Sequence, residues 1–225
     1  MLVAFGVAVV ALVGFLRVQA RGAHPMVPLD LFRTLTVGVA VAVGFAFVVG
    51  YYGLPLVMSH CLQQIRGLSL LDAGLAFLPM MLVGLLLTPF SARIAERLGA
   101  RLLVTAGQLL LALGLVALAV VPGSTPSALL AALMVLPGLA GPLIMPPVTA
   151  VLLNRVPGHP AGTASGVFNT SRQAGGALAV AVFGALVADQ AHFLSGLRIS
   201  FLLAAVVALV AAAAGLLLPA RPGTG

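Results

Sequence analysis

The chain has 225 residues, 62% of them hydrophobic and only 7% charged, with a formal net charge of +7. A soluble domain needs roughly a quarter charged residues to face water. That excludes a water-soluble globular fold and leaves a lipid-embedded chain, which must pair its backbone polar groups within helices or a closed barrel. All 11 basic residues are arginine, and they stand singly between apolar runs. Without a basic stripe or interleaved aromatics they do not form a nucleic-acid surface; they suit anchoring at the membrane edge.

The apolar stretches run roughly 20 residues without polar alternation, which fits helices and not barrel strands. The expected fold is therefore all-α, a polytopic bundle of about seven spans. A single cysteine, Cys61, excludes an internal disulfide, and His24, His60, His159 and His192 are spread over four connections. No metal site or cofactor is expected from that pattern.

In chain order, residues 2–16 are apolar but short, and they start at Met1 with no basic n-region and no convincing cleavage site. This reads as a truncated transmembrane helix over 1–16, not a signal peptide. Residues 17–34 form a cytoplasmic linker with Arg17, Arg21, Arg33, Pro25 and Pro28. The span at 36–58 carries Phe45, Phe47, Tyr51, Tyr52 and Pro55. These aromatics are either an interfacial belt or the wall of a pocket for a hydrophobic ligand.

A span at 70–90 is followed by a charge-dense connection, Ser91 to Arg101, in which Gly99 supplies the freedom a tight turn needs. Glu96 there can pair with Arg93 or Arg97 and cap a helix end. The spans at 102–121 and 199–218 are nearly pure Leu, Ala and Val, with Gln108 the main exception; they read as lipid-facing filler. The span at 128–152 holds Pro137, Pro142, Pro146 and Pro147 with Gly138 and Gly141. Prolines remove ladder hydrogen bonds and bend helices, so this span reads as a bent helix lining a cavity, or as an irregular packed one.

The span at 163–187 differs from the rest. Gly162, Gly166, Asn169, Gln173 and Gly176 recur at spacings of three and four, and Gly184 continues the row. They share one helix face, on which small residues admit a neighbouring backbone. Arg172 lies beside it. An arginine inside a span either reaches back to headgroups or a helix C-terminus, or contacts a substrate or gate. The positive-inside bias places Arg17, Arg21, Arg33, Arg93, Arg97, Arg101, Arg155 and Arg221 on the cytoplasmic side and only Arg66 and Arg198 opposite. The C-terminal tail, 219–225, is then cytoplasmic.

Four stretches resemble the major facilitator superfamily, in its fourteen-helix drug:proton antiporter branch. Pro25-Met26-Val27-Pro28-Leu29-Asp30-Leu31-Phe32-Arg33 is similar to the segment that leads into the C-terminal six-helix bundle. Gln63 to Gly67, Ser69, Ala73-Gly74 and Leu78-Pro79 follow a second family pattern. Residues 92–101 are a degraded form of the family's charged loop, with Arg97, Gly99 and Arg101 matching, Glu96 in place of the family's aspartate, and Ala92 and Ala100 departing. The run Ser165-Gly166, Asn169, Arg172-Gln173 and Gly175-Gly176 is the most specific match.

The resemblance implies two six-helix bundles that rock about a substrate held between them. Residues 35–218 would form the C-terminal bundle. Phe47, Tyr51, Tyr52, Pro142 and Met145 would line the cavity. Gly162, Gly166, Asn169, Arg172, Gln173 and Gly176 would lie at the bundle interface, with 70–90 beside them, and 102–121 and 199–218 at the periphery. The family's N-terminal bundle, with its embedded acid and antiporter glycine motif, has no counterpart here; Asp30, Asp72, Glu96 and Asp189 lie in or next to connections.

The implied partners are the lipid bilayer of the plasma membrane, hydrophobic or amphipathic small molecules, and the missing N-terminal bundle. The parent would exchange drugs for protons, and this half alone would be inactive. Two alternatives stand beside it: a half-transporter completed by a separately encoded bundle, and a non-transporting seven-span protein. A retinal-type receptor is excluded for want of a lysine, and no span holds the paired acids or Ser/His couple of an intramembrane enzyme.

Overall fold

The computed structural model describes residues 34–121, 123–155 and 161–219. The expected first helix at 1–16, the linker from 17 to 33 and the tail beyond 219 lie outside the described residues. Six long helices account for most of the rest: α1 (Leu35–His60), α2 (Leu70–Leu98), α3 (Ala100–Val120), α4 (Ser127–Asn154), α5 (Ala161–Leu186) and α6 (Phe193–Gly215). A π-helical turn, Cys61–Ile65, extends α1, and a short 3₁₀ turn, Gln190–His192, precedes α6.

Their ends follow from local chemistry. Ser69 caps α2, its hydroxyl accepting from the Asp72 N–H at 3.1 Å and donating to the Asp72 carboxylate at 2.7 Å. Gly67, with φ 65°, turns the chain out of α1 before that cap. Gly99, with φ 84° and ψ 150°, is the single residue between α2 and α3; only glycine visits that backbone region freely.

The centre of the bundle is a ring of α1, α4, α3 and α6, with α2 flanking α4 and α5 flanking α1. In α1 67% of the most apolar stretch is buried, against 17% in α2. Glycines let the helices cross closely. A Cβ on Gly107 would sit 2.6 Å from Ile144 Cγ1, and one on Gly138 would sit 2.6 Å from the Met80 carbonyl oxygen. These place α3 and α2 tightly on the two sides of α4. All four prolines of α4 lie inside a continuous helix.

Two arginines show which connections share an end of the bundle. Arg66 donates to the carbonyls of Gly123, at 2.9 Å, and of Thr125. The α1–α2 and α3–α4 connections therefore lie together. At the other end Arg101 Nε donates to Leu218 O at 2.6 Å, joining the start of α3 to the exit of α6.

Two expectations are corrected. The charged stretch 91–98 is not a connection but the last two turns of α2, and α6 begins at Phe193, six residues before the apolar run at 199. The helices α3 and α6 are not mere filler. Each buries one face in the central ring and leaves the other, including Leu109, Leu113, Leu202 and Val206, to the surroundings. The expected span at 163–187 is present as α5, 26 residues long, although by composition it is not among the five described helices apolar enough to cross a membrane. The reason lies in its first half, where Asn169, Arg172 and Gln173 interrupt the apolar sequence.

Candidate functional site

On α1 the aromatic residues are four and one apart, so Phe47 and Tyr51 stack along one face while Tyr52 turns away. The Phe47 and Tyr51 rings have centroids 4.8 Å apart at an interplanar angle of 28°, and the Tyr51 and Tyr52 centroids lie 6.1 Å apart. Phe47 is buried, Tyr51 half-buried and Tyr52 exposed. The stack leans on α4 at Gly141, where an added Cβ would lie 3.7 Å from Phe47 and 3.8 Å from Tyr51. Pro142 is the next residue and is buried; Met145 lies one turn on, half-buried against the core. Tyr52 points instead toward Gly176 of α5, whose Cβ position is 3.5 Å from its ring. The five cavity residues expected from the sequence thus fall on α1 and α4, four near their junction and Tyr52 toward α5.

The inner face of α5 consists of Ala164, Phe168, Gly175, Ala179 and Phe183, all buried. Phe168 and Phe183 pack over Gly44 and Gly53 of α1, and the two backbones come together at Gly175, where a Cβ would come within 2.8 Å of Phe45 O. The row singled out in the sequence lies on other sides of the helix. A Cβ on Gly162, Gly166 or Gly184 would meet nothing within 4 Å, while Gly176 makes ordinary contact with Val48 at 3.4 Å. Asn169 and Gln173 are exposed, as are Ser165 and Thr170. Arg172 is half-buried, its guanidinium carbon 5.8 Å from the Phe168 ring centroid. Its Nε is shielded from solvent without a hydrogen-bond partner. It therefore does not reach back to a helix C-terminus among the described residues.

In the charged stretch, Glu96 and Arg97 are exposed and make no ion pair among the described residues, so the expected Glu96 pairing with Arg93 or Arg97 is not formed. Gly99 makes the corner and Arg101 the bond to α6. Sequence reasoning missed two features. Gln108 is fully buried, with Nε2 donating to Val43 O at 3.1 Å and Oε1 unpaired. Its only sequence signal was an amide in a run of Leu and Ala. The second is His60, expected in a connection but placed in the last turn of α1, with Nδ1 3.0 Å from Leu56 O.

A bundle of long apolar helices, carrying one polar helix and an aromatic stack between two others, defines a multi-pass membrane protein. The model of the Major Facilitator Superfamily matches residues 1–180, and the chain belongs to that family. It is 32% identical over 174 residues to the multidrug resistance protein Stp of Mycobacterium tuberculosis, covering 77% of this chain and 32% of that protein. It is 31% identical to the tetracenomycin C resistance and export protein of Streptomyces glaucescens, over 81% of this chain and 34% of the relative. To the methylenomycin A resistance protein of Streptomyces coelicolor it is 29% identical, over 98% of this chain and 46% of the relative. The chain thus spans between a third and a half of the length of these relatives.

Proposed function

We propose that the chain is the C-terminal helix bundle of a plasma-membrane drug exporter, which moves hydrophobic or amphipathic compounds outward in exchange for protons. The observation that carries this reading is the outer face of α5. Ser165, Gly166, Asn169, Thr170 and Gln173 are exposed there, on a helix with apolar neighbours throughout. The Thr170 hydroxyl donates to Gly166 O, but the amides of Asn169 and Gln173 have no partner among the described residues. Lipid is a poor surrounding for them, since an unpaired polar group in hydrocarbon costs several kcal/mol. A second bundle satisfies them. The named activities of the relatives, export and resistance to antibiotics, support the same direction of transport.

In this reading α5 and α2 meet the N-terminal bundle, and the Phe47–Tyr51 stack with Gly141, Pro142 and Met145 forms this bundle's wall of the substrate cavity. Arg93, Arg97, Arg101 and Arg155 face the cytoplasm, with the C-terminus on the same side. The chain by itself transports nothing, because no acidic residue among the described spans sits deep enough to be reached from both sides in turn; Asp72 lies in the first turn of α2.

The test is the size of the native protein, read from a tag on its chromosomal C-terminus. A membrane band about twice the mass of this chain is the expected result for two bundles. A band near 22.6 kDa, together with gradient-driven uptake by the purified chain in liposomes, would overturn the reading. A band of that size without uptake favours a separately encoded partner bundle.

A further inference from the structure

We infer that the cleft between the α2–α3 corner and the exit of α6 binds the headgroup of an anionic phospholipid. The cleft has a volume of about 150 Å³ and is lined by Leu98, Arg101, Leu102, Thr105 and Leu216. Its apolar walls are open, with Leu98, Leu102 and Leu216 exposed at 56%, 55% and 54%. Three large apolar side chains left open at the end of a helix bundle suit the acyl region just below the headgroups.

Arg101 sits among them with its orientation fixed. Its Nε is committed to Leu218 O at 2.6 Å, which holds the guanidinium plane against the exit of α6. No acidic side chain lies within ion-pair range among the described residues, so the donors on its two terminal nitrogens stay available. A planar guanidinium with two free donors matches two phosphate oxygens. A further polar atom at the cleft, Thr105 Oγ1, is buried and has no hydrogen-bond partner among the described residues. The occupant is therefore part apolar and part anionic. An inorganic anion leaves the leucines uncovered, and an uncharged lipid leaves the guanidinium unpaired. Arg97, exposed one residue before Leu98, adds positive charge at the same corner.

The site lies on α2, α3 and α6, away from the aromatic stack, and the inference does not depend on the transport reading. It is tested on the full chain in mixed micelles, by lipid retention in native mass spectrometry and by melting temperature. The probes are phosphatidylglycerol, phosphatidylcholine and inorganic phosphate. Phosphatidylglycerol is expected to be retained in preference to phosphatidylcholine and to raise the melting temperature. Arg101→Gln should weaken that retention about tenfold, the size of one lost charge-assisted contact.

Arg101→Gln also breaks the bond to Leu218, so Leu102→Glu serves as the second variant. It keeps Arg101 and that bond but sets a carboxylate in the cleft, and it should remove the preference as well. Arg93→Gln, outside the cleft, should leave the preference unchanged. Unaltered preference in both cleft variants would overturn the assignment, as would an equal loss in Arg93→Gln. Stabilisation by inorganic phosphate equal to that by phosphatidylglycerol would mean a free-anion site and overturn the lipid.

Discussion

Gln108 is held on one side only: its Nε2 donates to Val43 O, while its Oε1 is buried without a partner. The Val43 carbonyl also serves the ladder of α1, so it is not stranded when the amide is removed. An unpaired buried acceptor costs about 1–3 kcal/mol and a typical hydrogen bond contributes about 1 kcal/mol, so removing both is neutral to stabilising. Gln108→Leu, which removes both at similar volume, is therefore expected to raise stability by about 0–2 kcal/mol. Gln108→Ala leaves a cavity and is expected to cost about 2 kcal/mol or more. Thermal unfolding of the two variants in detergent checks the order; a Leu variant as unstable as the Ala variant would show that the bond outweighs the orphaned oxygen. A similar contrast holds at two glycines. Gly138→Ala sets a methyl 2.6 Å from Met80 O and 3.0 Å from Met80 Cα, backbone that cannot turn aside. It should cost about 1–3 kcal/mol in the same assay, whereas Gly166→Ala meets nothing and should cost almost none.

At the scale of elements, the corners between helices carry testable chemistry. Gly99 lies in a backbone region that is nearly glycine-only, and a side chain there costs about 1–3 kcal/mol; Gly67 lies in the left-handed region, where the cost is about 1–2 kcal/mol. Gly99→Ala is thus expected to lower the melting temperature at least as much as Gly67→Ala. At the α5–α6 corner, Asp189 accepts from the Ala191 N–H at 2.9 Å and lies 2.9 Å from His192 Nδ1. The His192 contact, then the Ala191 N–H, hold the Asp189 carboxyl below its ordinary value of 3.8. A carboxyl whose pKa is lower folded than unfolded stabilises the fold above the unfolded value, and this is lost as pH falls through the folded one. The corner should therefore be fully formed at neutral pH and loosen only below pH 3.8. Hydrogen exchange at Ala191, compared with Asp189→Ala, reads this directly: protection at pH 6 that equals the Ala variant would refute the contact.

The same corners explain what the sequence shows and what it hides. Apolar runs marked all six described helices, since a span presents about 20 apolar residues to the hydrocarbon, although in α5 Asn169, Arg172 and Gln173 interrupt the run. They could not locate helix ends beyond the membrane. The last two turns of α2 carry Arg93, Glu96 and Arg97, and the first turns of α6 carry Ser195 and Arg198, so hydropathy stops where the helix does not. Glycine spacing marked α5 as special, but its close approach falls on Gly175 and not on the 162–166 row. A 3.6-residue period fixes which residues share a face, not which face a neighbour takes. The buried role of Gln108 was likewise invisible, since burial depends on α1 lying opposite it.

On the scale of the whole molecule, the bundle is closed on the ring side and open along α2 and α5, and the two open sides differ. Leu71, Leu75, Met81, Leu85 and Phe90 stand out from α2, a surface that lipid or protein suits equally. Over its first half, from Gly162 to Gln173, the outer face of α5 is polar and small, which suits protein or water, while Leu178 and Val180 stand out from its second half. Substitutions there separate the stability of this chain from its role in a complete transporter. A Cβ on Gly166 meets nothing within 4 Å among the described residues and Gln173 is exposed, so Gly166→Leu and Gln173→Leu should not lower the melting temperature of the bundle. In a complete transporter that contains this chain they should lower drug resistance about tenfold, the effect of losing about 1.4 kcal/mol at an interface. Leu113→Ala, on the exposed side of α3, is the matched control and should leave resistance near normal. If the two α5 variants export as well as the control does, α5 faces no second bundle. The polar face must then be wetted by water, and the place of this chain in a two-bundle exporter falls with it.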